Sequence, residues 1–291
     1  MITVETSLKS GPVTSSSPGD DQRSLRAFIQ KECGIKMPPA KRVMLEARLQ
    51  KRLRALGITT LKDYREYLLT DAGRNGELIH CIDAVTTNKT DFFREPSHFD
   101  YLAAQALPSL IDAGAGRERK RITVWSAGCS TGEEPYTLAM VLSEFAETRP
   151  GFDFKVLATD ISTRALEKAW LAVYDRERAA PIPEKLKAKY LLRSKDSSKN
   201  LVRIAPWIRE KVAFQRLNFM EDRFSIRDKI DVIFCRNVII YFDRPTQEQL
   251  MNKFCRHLGP GGYLFLGHSE TIHNMDVPLV ATAPTIYRRP Q

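Results

Sequence analysis

The stretch ITVWSAGCSTGEEP, residues 122–135, constrains the fold of this chain more than any other. It begins as a short apolar strand, breaks into a turn that contains Gly128 and Gly132, and enters a helix that carries Tyr136 and Leu138. A strand, a glycine turn and a helix in this order form the nucleotide-binding unit of doubly wound α/β folds. Because glycine lets the backbone approach a ligand where a Cβ would clash, we expect a bound cofactor at this turn.

The composition of the turn disfavours a phosphate ligand. It lacks the Gly-Lys-Ser/Thr sequence of a phosphate-binding loop, and Glu133 and Glu134 lie where a pyrophosphate would be repelled. Carboxylates at a helix start interact favourably with the positive end of the helix dipole, and they also suit a cationic ligand. S-adenosylmethionine carries an amino group and a sulfonium but no phosphate. The turn therefore favours this cofactor and predicts a methyltransferase.

The length and charge of the chain limit its class. Its 291 residues allow a main domain and a smaller one. Lysine and arginine number 45 against 35 acidic residues, and the net charge of +10 fits an acidic partner and, equally well, general solubility. Residues 1–20 are polar, and no run approaches the roughly 18 apolar residues of a membrane span. We therefore expect a cytoplasmic protein without membrane insertion.

The cysteines and histidines show no pattern of a metal site. The five cysteines are an odd number and widely spaced, which fits a reducing cytoplasm and argues against disulfides and a zinc site. The five histidines also lack the spacing of metal ligands. We therefore expect no metal.

Composition and periodicity divide the chain into regions. Residues 1–19 are predicted to be a disordered tail, because they are rich in Ser, Thr, Gly and Pro. Residues 20–100 have helical spacing and form a predicted N-terminal helical domain. Residues 101–291 form a predicted α/β domain with a parallel or mixed sheet, since strands and helices alternate in it. Within it, residues 174–209 are rich in charged residues and contain several prolines, and we interpret them as a small insertion.

Local signals predict the bounds of individual elements. Asp20 or Asp21 is expected to cap a first helix. Pro38 and Pro39 suit the first turn of a second helix, which runs to Gly57. The later elements are a helix after Thr59 or Thr60, a helix over 78–85, strands over 122–125, 155–159, 211–216, 232–235 and 263–267, and helices over 134–146 and 164–170.

Two strand ends carry candidate site residues. The strand over 154–160 ends in Asp160, and an acid at this place in a nucleotide-binding fold accepts hydrogen bonds from ribose hydroxyls. The alternative is that Asp160 caps the following helix. The strand over 231–235 leads into polar residues and then Tyr241, which belongs either to a site at the strand ends or to the core.

Four segments together resemble the signatures of one family. They are TTNKTDFFRE at 86–95, STGEEPY at 130–136, FCRNVIIYFD at 234–243 and GHSE at 267–270. In this order and spacing they are similar to CheR-type chemotaxis receptor methyltransferases, and the resemblance covers about residues 22–287. It implies a helical domain, a class I S-adenosylmethionine-dependent methyltransferase domain with a doubly wound sheet, and an inserted β-subdomain. It also implies methyl transfer to glutamate side chains on the cytoplasmic helices of bacterial chemoreceptors.

The resemblance also implies a set of site residues. The implied cofactor residues are Asn88, Thr90, Arg94, Glu134, Asp160, Asn218, Phe219, Cys235, Arg236 and, close by, Asn237. The implied acceptor-site residues are Arg94 and Tyr241. The chain departs from the wider superfamily in its turn, where the usual run of closely spaced glycines is reduced to Gly128 and Gly132.

One helix face is a candidate for receptor docking. In the second helix, Lys41, Arg48 and Arg52 fall at i, i+7 and i+11 and share one face beside a leucine stripe. With the family resemblance, we expect this basic face to dock the glutamate-rich receptor helices. The alternative is the solvated face of a surface helix.

The insertion is a second candidate for receptor binding. In some members of the resembled family this subdomain captures a receptor C-terminal peptide as an added strand. The matching loop here, residues 193–200, has no glycine, and a backbone that needs positive φ beside a docked strand would be strained. We therefore expect no tight binding of such a pentapeptide, and we expect a monomer.

Three other functions stay open at this point. The net charge allows an RNA methyltransferase, but we find no RNA-binding module and expect no nucleic-acid partner. A non-catalytic scaffold that keeps the cofactor fold is a second alternative. A nicotinamide-dependent oxidoreductase is a third, and the glutamates of the turn weigh against it.

Overall fold

The N-terminal region is a bundle of short helices. The computed structural model describes residues 18–38, 40, 42–112, 121–196 and 198–291. The first elements are α1 (Pro18–Cys33), α2 (Arg42–Leu56), α3 (Leu61–Leu69), a π-helical turn (Gly73–Glu77) and α4 (Leu78–Val85). Their apolar faces enclose one cluster that includes Leu25, Leu49, Tyr64 and Leu68. These helices thus share one apolar core.

The observed ends of the first three helices can be compared with the predicted ones. The third helix begins as predicted, since the Thr60 hydroxyl accepts a hydrogen bond from the Asp63 amide at 3.1 Å. The end of the second helix before Gly57 is also confirmed. The predicted cap at Asp20 or Asp21 is wrong, because α1 begins at Pro18, a residue well suited to a first helical turn.

The second helix begins later than expected. α2 starts at Arg42, four residues beyond Pro38, so Pro38 does not lie in its first turn. Pro39, Lys41 and residues 1–17 of the predicted disordered tail fall outside the described residues. The last two residues of that predicted tail, Pro18 and Gly19, instead belong to α1. The link between α1 and α2 instead contacts the rest of the protein, as described below.

Three helical segments precede the sheet. They are α5 (Ser97–Tyr101), a second π-helical turn (Leu102–Ala106) and α6 (Leu107–Asp112). Leu102, Leu107 and Leu110 are buried in the same cluster as the first strand. This part of the chain therefore packs with the α/β region.

The main sheet has seven strands in the order β6-β2-β1-β7-β8-β10-β9. They are β1 (Arg121–Ala127), β2 (Asp153–Asp160), β6 (Val212–Arg216), β7 (Ile230–Cys235), β8 (Leu258–Leu266), β9 (Val280–Ala283) and β10 (Ile286–Arg288). The first five in sheet order are parallel, and β10 and β9 are antiparallel. The five predicted strands are present, and the hairpin of β9 and β10 was not predicted.

The strand order alone predicts where a ligand-binding site lies. β1 continues through α7 (Glu133–Glu147) to β2 on one side, whereas β7 and β8 lie on the other side. In open α/β sheets, ligands bind outside the carboxyl ends of the strands where the order reverses, here between β1 and β7. β7 is buried along its whole length, as expected for a central strand covered on both faces.

The insertion forms a separate small sheet. β3 (Val173–Asp175), β4 (Leu191–Arg193) and β5 (Leu201–Ile204) are antiparallel in the order β3-β5-β4. They lie in the chain between α8 (Thr163–Leu171) and β6, together with α9 (Glu184–Tyr190) and α10 (Pro206–Arg209). The last helix, α11 (Arg244–His257), connects β7 to β8. None of the helices described is both long enough and apolar enough to cross a bilayer.

The link after α1 joins the helical region to the α/β region. The Lys36 amide donates to the Tyr241 carbonyl oxygen at 2.7 Å. Gly34 ends α1 at a φ of 75°, and a Cβ there would collide with the Met220 sulfur and lie 3.0 Å from the Phe242 ring. A glycine is required for this close approach.

Candidate active site

A cavity of about 220 Å³ lies where the helical region meets the strand ends. Its lining comes from the segments that directly follow β1, β2, β6 and β7, and from residues 85–91. The predicted site residues that line it are Asn88, Thr90, Arg94, Glu134, Asp160, Asn218, Phe219, Arg236, Asn237 and Tyr241. One cavity thus brings together residues that are far apart in sequence.

Two features of the lining differ from the sequence analysis. The Cys235 side chain is buried in the core at the end of β7 and does not line the cavity. Met37 and Met44 of the helical region do line it. Both read as ordinary apolar positions in the sequence, so nothing there indicated that they form a wall of the site.

The glycine turn after β1 packs closely against the protein's own side chains. Gly128 and Gly132 have φ values of 89° and 98°, which favour glycine. A Cβ on Gly128 would lie 2.5 Å from Val238 Cγ2, and one on Gly132 would lie 2.8 Å from the Tyr174 hydroxyl. Both glycines therefore make room for the protein's own side chains. Gly128 also lines the cavity, so a cofactor at this turn stays a prediction.

Asp160 connects the turn to the next helix. Its Oδ2 accepts from the Ser130 amide at 2.8 Å, and its Oδ1 accepts from the Ser162 amide at 2.9 Å. Burial raises the pKa of Asp160, and these backbone amides oppose the rise. Ser162 itself caps α8, because its hydroxyl accepts from the Ala165 amide at 3.2 Å. Asp160 is therefore not the cap, and its carboxylate retains acceptor capacity beside the cavity.

Arg236 is a buried cation between two carboxylates. Its side chain is 2 % exposed, and its Nη2 lies 3.1 Å from Glu95 Oε2 while its Nη1 lies 3.5 Å from Glu134 Oε2. It also donates to the Arg94 carbonyl oxygen and lies 5.3 Å from the centre of the Phe99 ring. Arg236 thus connects the end of β7 with α7 and with the segment that carries Arg94.

The pKa values of the two carboxylates around Arg236 are shifted in opposite directions. Burial raises the pKa of Glu134, although Arg236 and the Ser126 hydroxyl, at 2.7 Å, oppose this. Burial also acts to raise the pKa of Glu95, but Arg236, the His268 amide and Asn237 outweigh it and hold that pKa below its usual value. The carboxylates outnumber the guanidinium here, which suits a cationic ligand group.

Glu270 holds the segment that carries Tyr241. Its carboxylate accepts from the amides of Gly267, Asn237 and Ile240 at 2.7, 2.8 and 3.3 Å. Burial raises the pKa of Glu270, against the effect of these amides. The short 3₁₀ helix Ile239–Tyr241 follows, and Tyr241 lines the cavity. No local pattern indicated that the acid of the GHSE segment has this backbone-binding role.

Other predicted residues are held by contacts within the protein. The Asn218 side chain donates to the Glu32 carbonyl oxygen at 2.7 Å and accepts from the Met220 amide at 3.0 Å. The Arg94 guanidinium donates to the Lys89 carbonyl oxygen at 3.3 Å. Asn218 therefore shapes the cavity wall through the backbone around it.

Of the predicted docking residues, Arg48 and Arg52 are described, and neither lines the cavity. Arg48 donates to the carbonyl oxygens of Val85 and Thr86 at 2.9 and 3.0 Å, at the end of α4. Arg52 pairs with buried Glu77 at 2.6 Å. These contacts give both arginines a role inside the helical bundle, and their docking role stays a prediction.

One cluster resembles a metal site but is occupied by a protein cation. Candidate donor atoms of Glu95, His98 and His268 lie within 4.8 Å of one another. The Glu95 oxygen that faces both histidines is the one paired with Arg236. A metal ion here would be repelled by that guanidinium.

Comparisons with known proteins agree with this geometry. Residues 20–86 match the family model described as the CheR methyltransferase all-alpha domain, and residues 88–285 match the CheR methyltransferase SAM binding domain. A chemotaxis protein methyltransferase of Borreliella burgdorferi is 40% identical over 90% of this chain and 93% of its own length. One of Escherichia coli is 37% identical over 91% of this chain and 89% of its own length.

One solved structure is similar over part of this chain. A SAM-dependent methyltransferase of Methanosarcina mazei gives a TM-score of 0.31 at 19% identity, over 51% of this chain and 52% of that chain. Such a partial superposition adds no support to the assignment.

The fold and the family models define an S-adenosylmethionine-dependent methyltransferase. The chain belongs to the CheR methyltransferase family, and its relatives act in chemotaxis by name. The predicted fold class and cofactor are confirmed, and the oxidoreductase alternative is set aside.

Proposed function

We propose that the protein transfers the methyl group of S-adenosylmethionine to glutamate carboxylates on the cytoplasmic helices of chemoreceptors, and acts in the cytoplasm as a monomer. One observation carries this proposal. A single cavity is lined both by Asp160 and Glu134, which suit the cofactor, and by Arg94 and Tyr241, which suit a carboxylate acceptor. The product is a glutamate methyl ester together with S-adenosylhomocysteine.

The residues present fit the cofactor. Asp160 has acceptor capacity for ribose hydroxyls, and Glu134 offers a carboxylate to the cationic part of the molecule. The Ser130 hydroxyl lines the cavity, is buried, and has no hydrogen-bond partner among the described residues. Because a buried polar group without a partner is costly, this hydroxyl points to a polar ligand. When bound, S-adenosylmethionine supplies the electrophilic methyl group.

The acceptor needs no general base. A glutamate side chain has an unperturbed pKa of about 4.3, so it is ionised at neutral pH. The negative acceptor and the positive sulfonium lose charge together in the transition state, which a water-poor cavity favours. The protein therefore contributes mainly by holding the reacting atoms in line, about 3–3.5 Å apart.

Arg94 and Tyr241 have separate roles in this hypothesis. The Arg94 guanidinium orients the acceptor carboxylate through charge-assisted hydrogen bonds. The Tyr241 hydroxyl donates to the second carboxylate oxygen. Glu270 supports Tyr241 because it fixes the backbone just before it. Strong pairing would stabilise the carboxylate and slow the reaction, so positioning is the main effect.

Receptor binding is proposed to rest on the helical region. Arg48 and Arg52 of α2, together with Lys41, which precedes α2 in the sequence, would attract glutamate-rich helices, and contacts within the bundle keep Arg48 and Arg52 ordered. In the insertion, β4 is an edge strand and so offers an edge for peptide addition.

The loop after β4 bears on peptide capture. Its described residues all have negative φ, so nothing in them provides the left-handed turn discussed above. We propose that a receptor C-terminal pentapeptide is not bound tightly. Micromolar binding by calorimetry, lost on shortening residues 194–199, would overturn this.

The proposal is tested by transfer of a labelled methyl group to purified receptor cytoplasmic domains. The expected product is labelled receptor whose label is released by mild base, as an ester requires. A base-stable product would exclude a carboxyl ester. RNA is included as a competing substrate, and label in RNA would restore that alternative.

A further inference from the structure

An arginine of the insertion contacts the wall of the cavity. Arg178 follows β3 by three residues, within the insertion. Its Nη2 donates to the Thr90 carbonyl oxygen at 3.0 Å and to Glu133 Oε1 at 2.6 Å. Thr90 lines the cavity, and Glu133 begins α7 directly after the glycine turn. One nitrogen atom therefore joins the insertion, the 86–95 segment and the turn.

The carboxylate at the centre of this junction depends on its partners. The Glu133 side chain is 1 % exposed, whereas that of Arg178 is 47 % exposed. The other Glu133 oxygen accepts from the Thr131 hydroxyl at 2.6 Å. A buried carboxylate that loses its cation is strongly disfavoured. The ion pair with Arg178 therefore stabilises the observed position of Glu133 and of the turn that precedes it.

A second contact attaches the insertion to the same two segments. The Tyr174 hydroxyl, from the middle of β3, donates to the Thr131 carbonyl oxygen at 2.8 Å. The Tyr174 ring packs edge-on against Phe92, with ring centres 5.0 Å apart. Tyr174 packs the two segments together, and Arg178 supplies the charged contact between them.

We propose that Arg178 is a positioning residue that sets cofactor affinity, and that it couples the inserted sheet to the cofactor cavity. It acts through the Thr90 carbonyl and Glu133 and touches no reacting atom. A partner that binds to the insertion would therefore alter the affinity for the cofactor through this contact. The inference rests on the proposed function only in that the cavity holds the cofactor.

The test compares Arg178→Ala with Arg176→Ala. Arg176 lies on the same insertion and is exposed, and it has no contact with Thr90 or Glu133 among the described residues. Calorimetry with S-adenosylhomocysteine should show about tenfold weaker binding for Arg178→Ala and no change for Arg176→Ala. KM for S-adenosylmethionine should rise by a similar factor, whereas kcat at saturation stays within about threefold. Arg178→Lys, which keeps the charge, should recover part of the affinity.

A double-mutant cycle with Glu133→Gln separates positioning from general destabilisation. If the two residues act as one contact, the double variant should bind about as weakly as Arg178→Ala alone. Equal affinity in the two alanine variants would overturn the proposal, as would additive losses or a fall in kcat without a change in KM. Because the binding assay needs no receptor, failure of receptor methylation would count against the proposed function and leave this inference decided by calorimetry.

Discussion

Removal of the Asp160 carboxylate should weaken cofactor binding and also loosen the turn. The change Asp160→Ala removes the proposed acceptor for the ribose hydroxyls. Loss of a charged hydrogen-bond partner costs about 1.5–3 kcal/mol, which corresponds to about tenfold to a hundredfold in the dissociation constant. Isothermal titration with S-adenosylhomocysteine measures this directly.

The same change has a second cost that can be read from the structure. The amides of Ser130 and Ser162 both lose their acceptor, and an unsatisfied buried donor costs about 1–3 kcal/mol. The free energy of unfolding should therefore fall by about 2–6 kcal/mol, less where water reaches either amide. Denaturant unfolding of the ligand-free protein measures this loss.

A matched variant separates the two effects. Ser162→Ala removes the cap of α8 and should lower stability by about 1 kcal/mol, but it leaves the carboxylate in place. Its affinity for S-adenosylhomocysteine should equal that of the unmodified protein. If Asp160→Ala binds as tightly as Ser162→Ala, Asp160 is only a structural link and the placement of the cofactor is wrong.

Three further predictions follow from other parts of the protein. Tyr241→Phe should lower methyl transfer to the receptor with near-unchanged cofactor affinity, because only a hydroxyl is lost; wild-type turnover would make Tyr241 a packing residue. Reversal of Lys41, Arg48 and Arg52 to Glu should raise KM for the receptor, less so at high salt because charge attraction to the receptor is screened over about 8 Å at physiological ionic strength; unchanged affinity for S-adenosylhomocysteine controls for the lost bundle contacts of Arg48 and Arg52, and an unchanged KM at low salt would contradict docking. Burial, with Arg236 nearby, lowers the pKa of His98 to about 4, so its contribution to stability is full above pH of about 6.5 and is lost as pH falls towards 4. In His98→Gln, the free energy of unfolding should fall by about 3 kcal/mol less between pH 6.5 and 4 than in the unmodified protein, as measured by denaturant titrations. An unaltered pH profile would refute the lowered pKa of His98.

Elements with strong periodicity were predictable from the sequence. The five parallel strands and the helix after the glycine turn were found because the strands are short segments rich in apolar residues and the glycines mark the turn. The three-residue strands β9 and β10 were not predicted. The bounds of α1 and α2 were displaced, because proline and aspartate are both acceptable near a helix start and local preference does not choose between them.

The site was predictable where its residues belong to recognisable segments. Nine of the ten implied cofactor residues line one cavity, and Cys235 is the exception. The contacts that hold the site in shape were not predictable, because they join distant parts of the chain. Arg178 lies 88 residues from Thr90, and Glu270 lies 33 residues from Asn237. No local spacing encodes such pairs.

The central claim is that receptor glutamates are the methyl acceptors, and mass spectrometry of a methylated receptor tests it most directly. After reaction with S-adenosylmethionine, peptides of the receptor cytoplasmic domain should gain the mass of one methylene on glutamate, and mild base should remove it. Replacement of the modified glutamate by glutamine should abolish the gain at that position, and the Tyr241→Phe enzyme should reduce it. A methyl group on lysine, on arginine or on the backbone amine, or no modification of any receptor glutamate, would contradict the account.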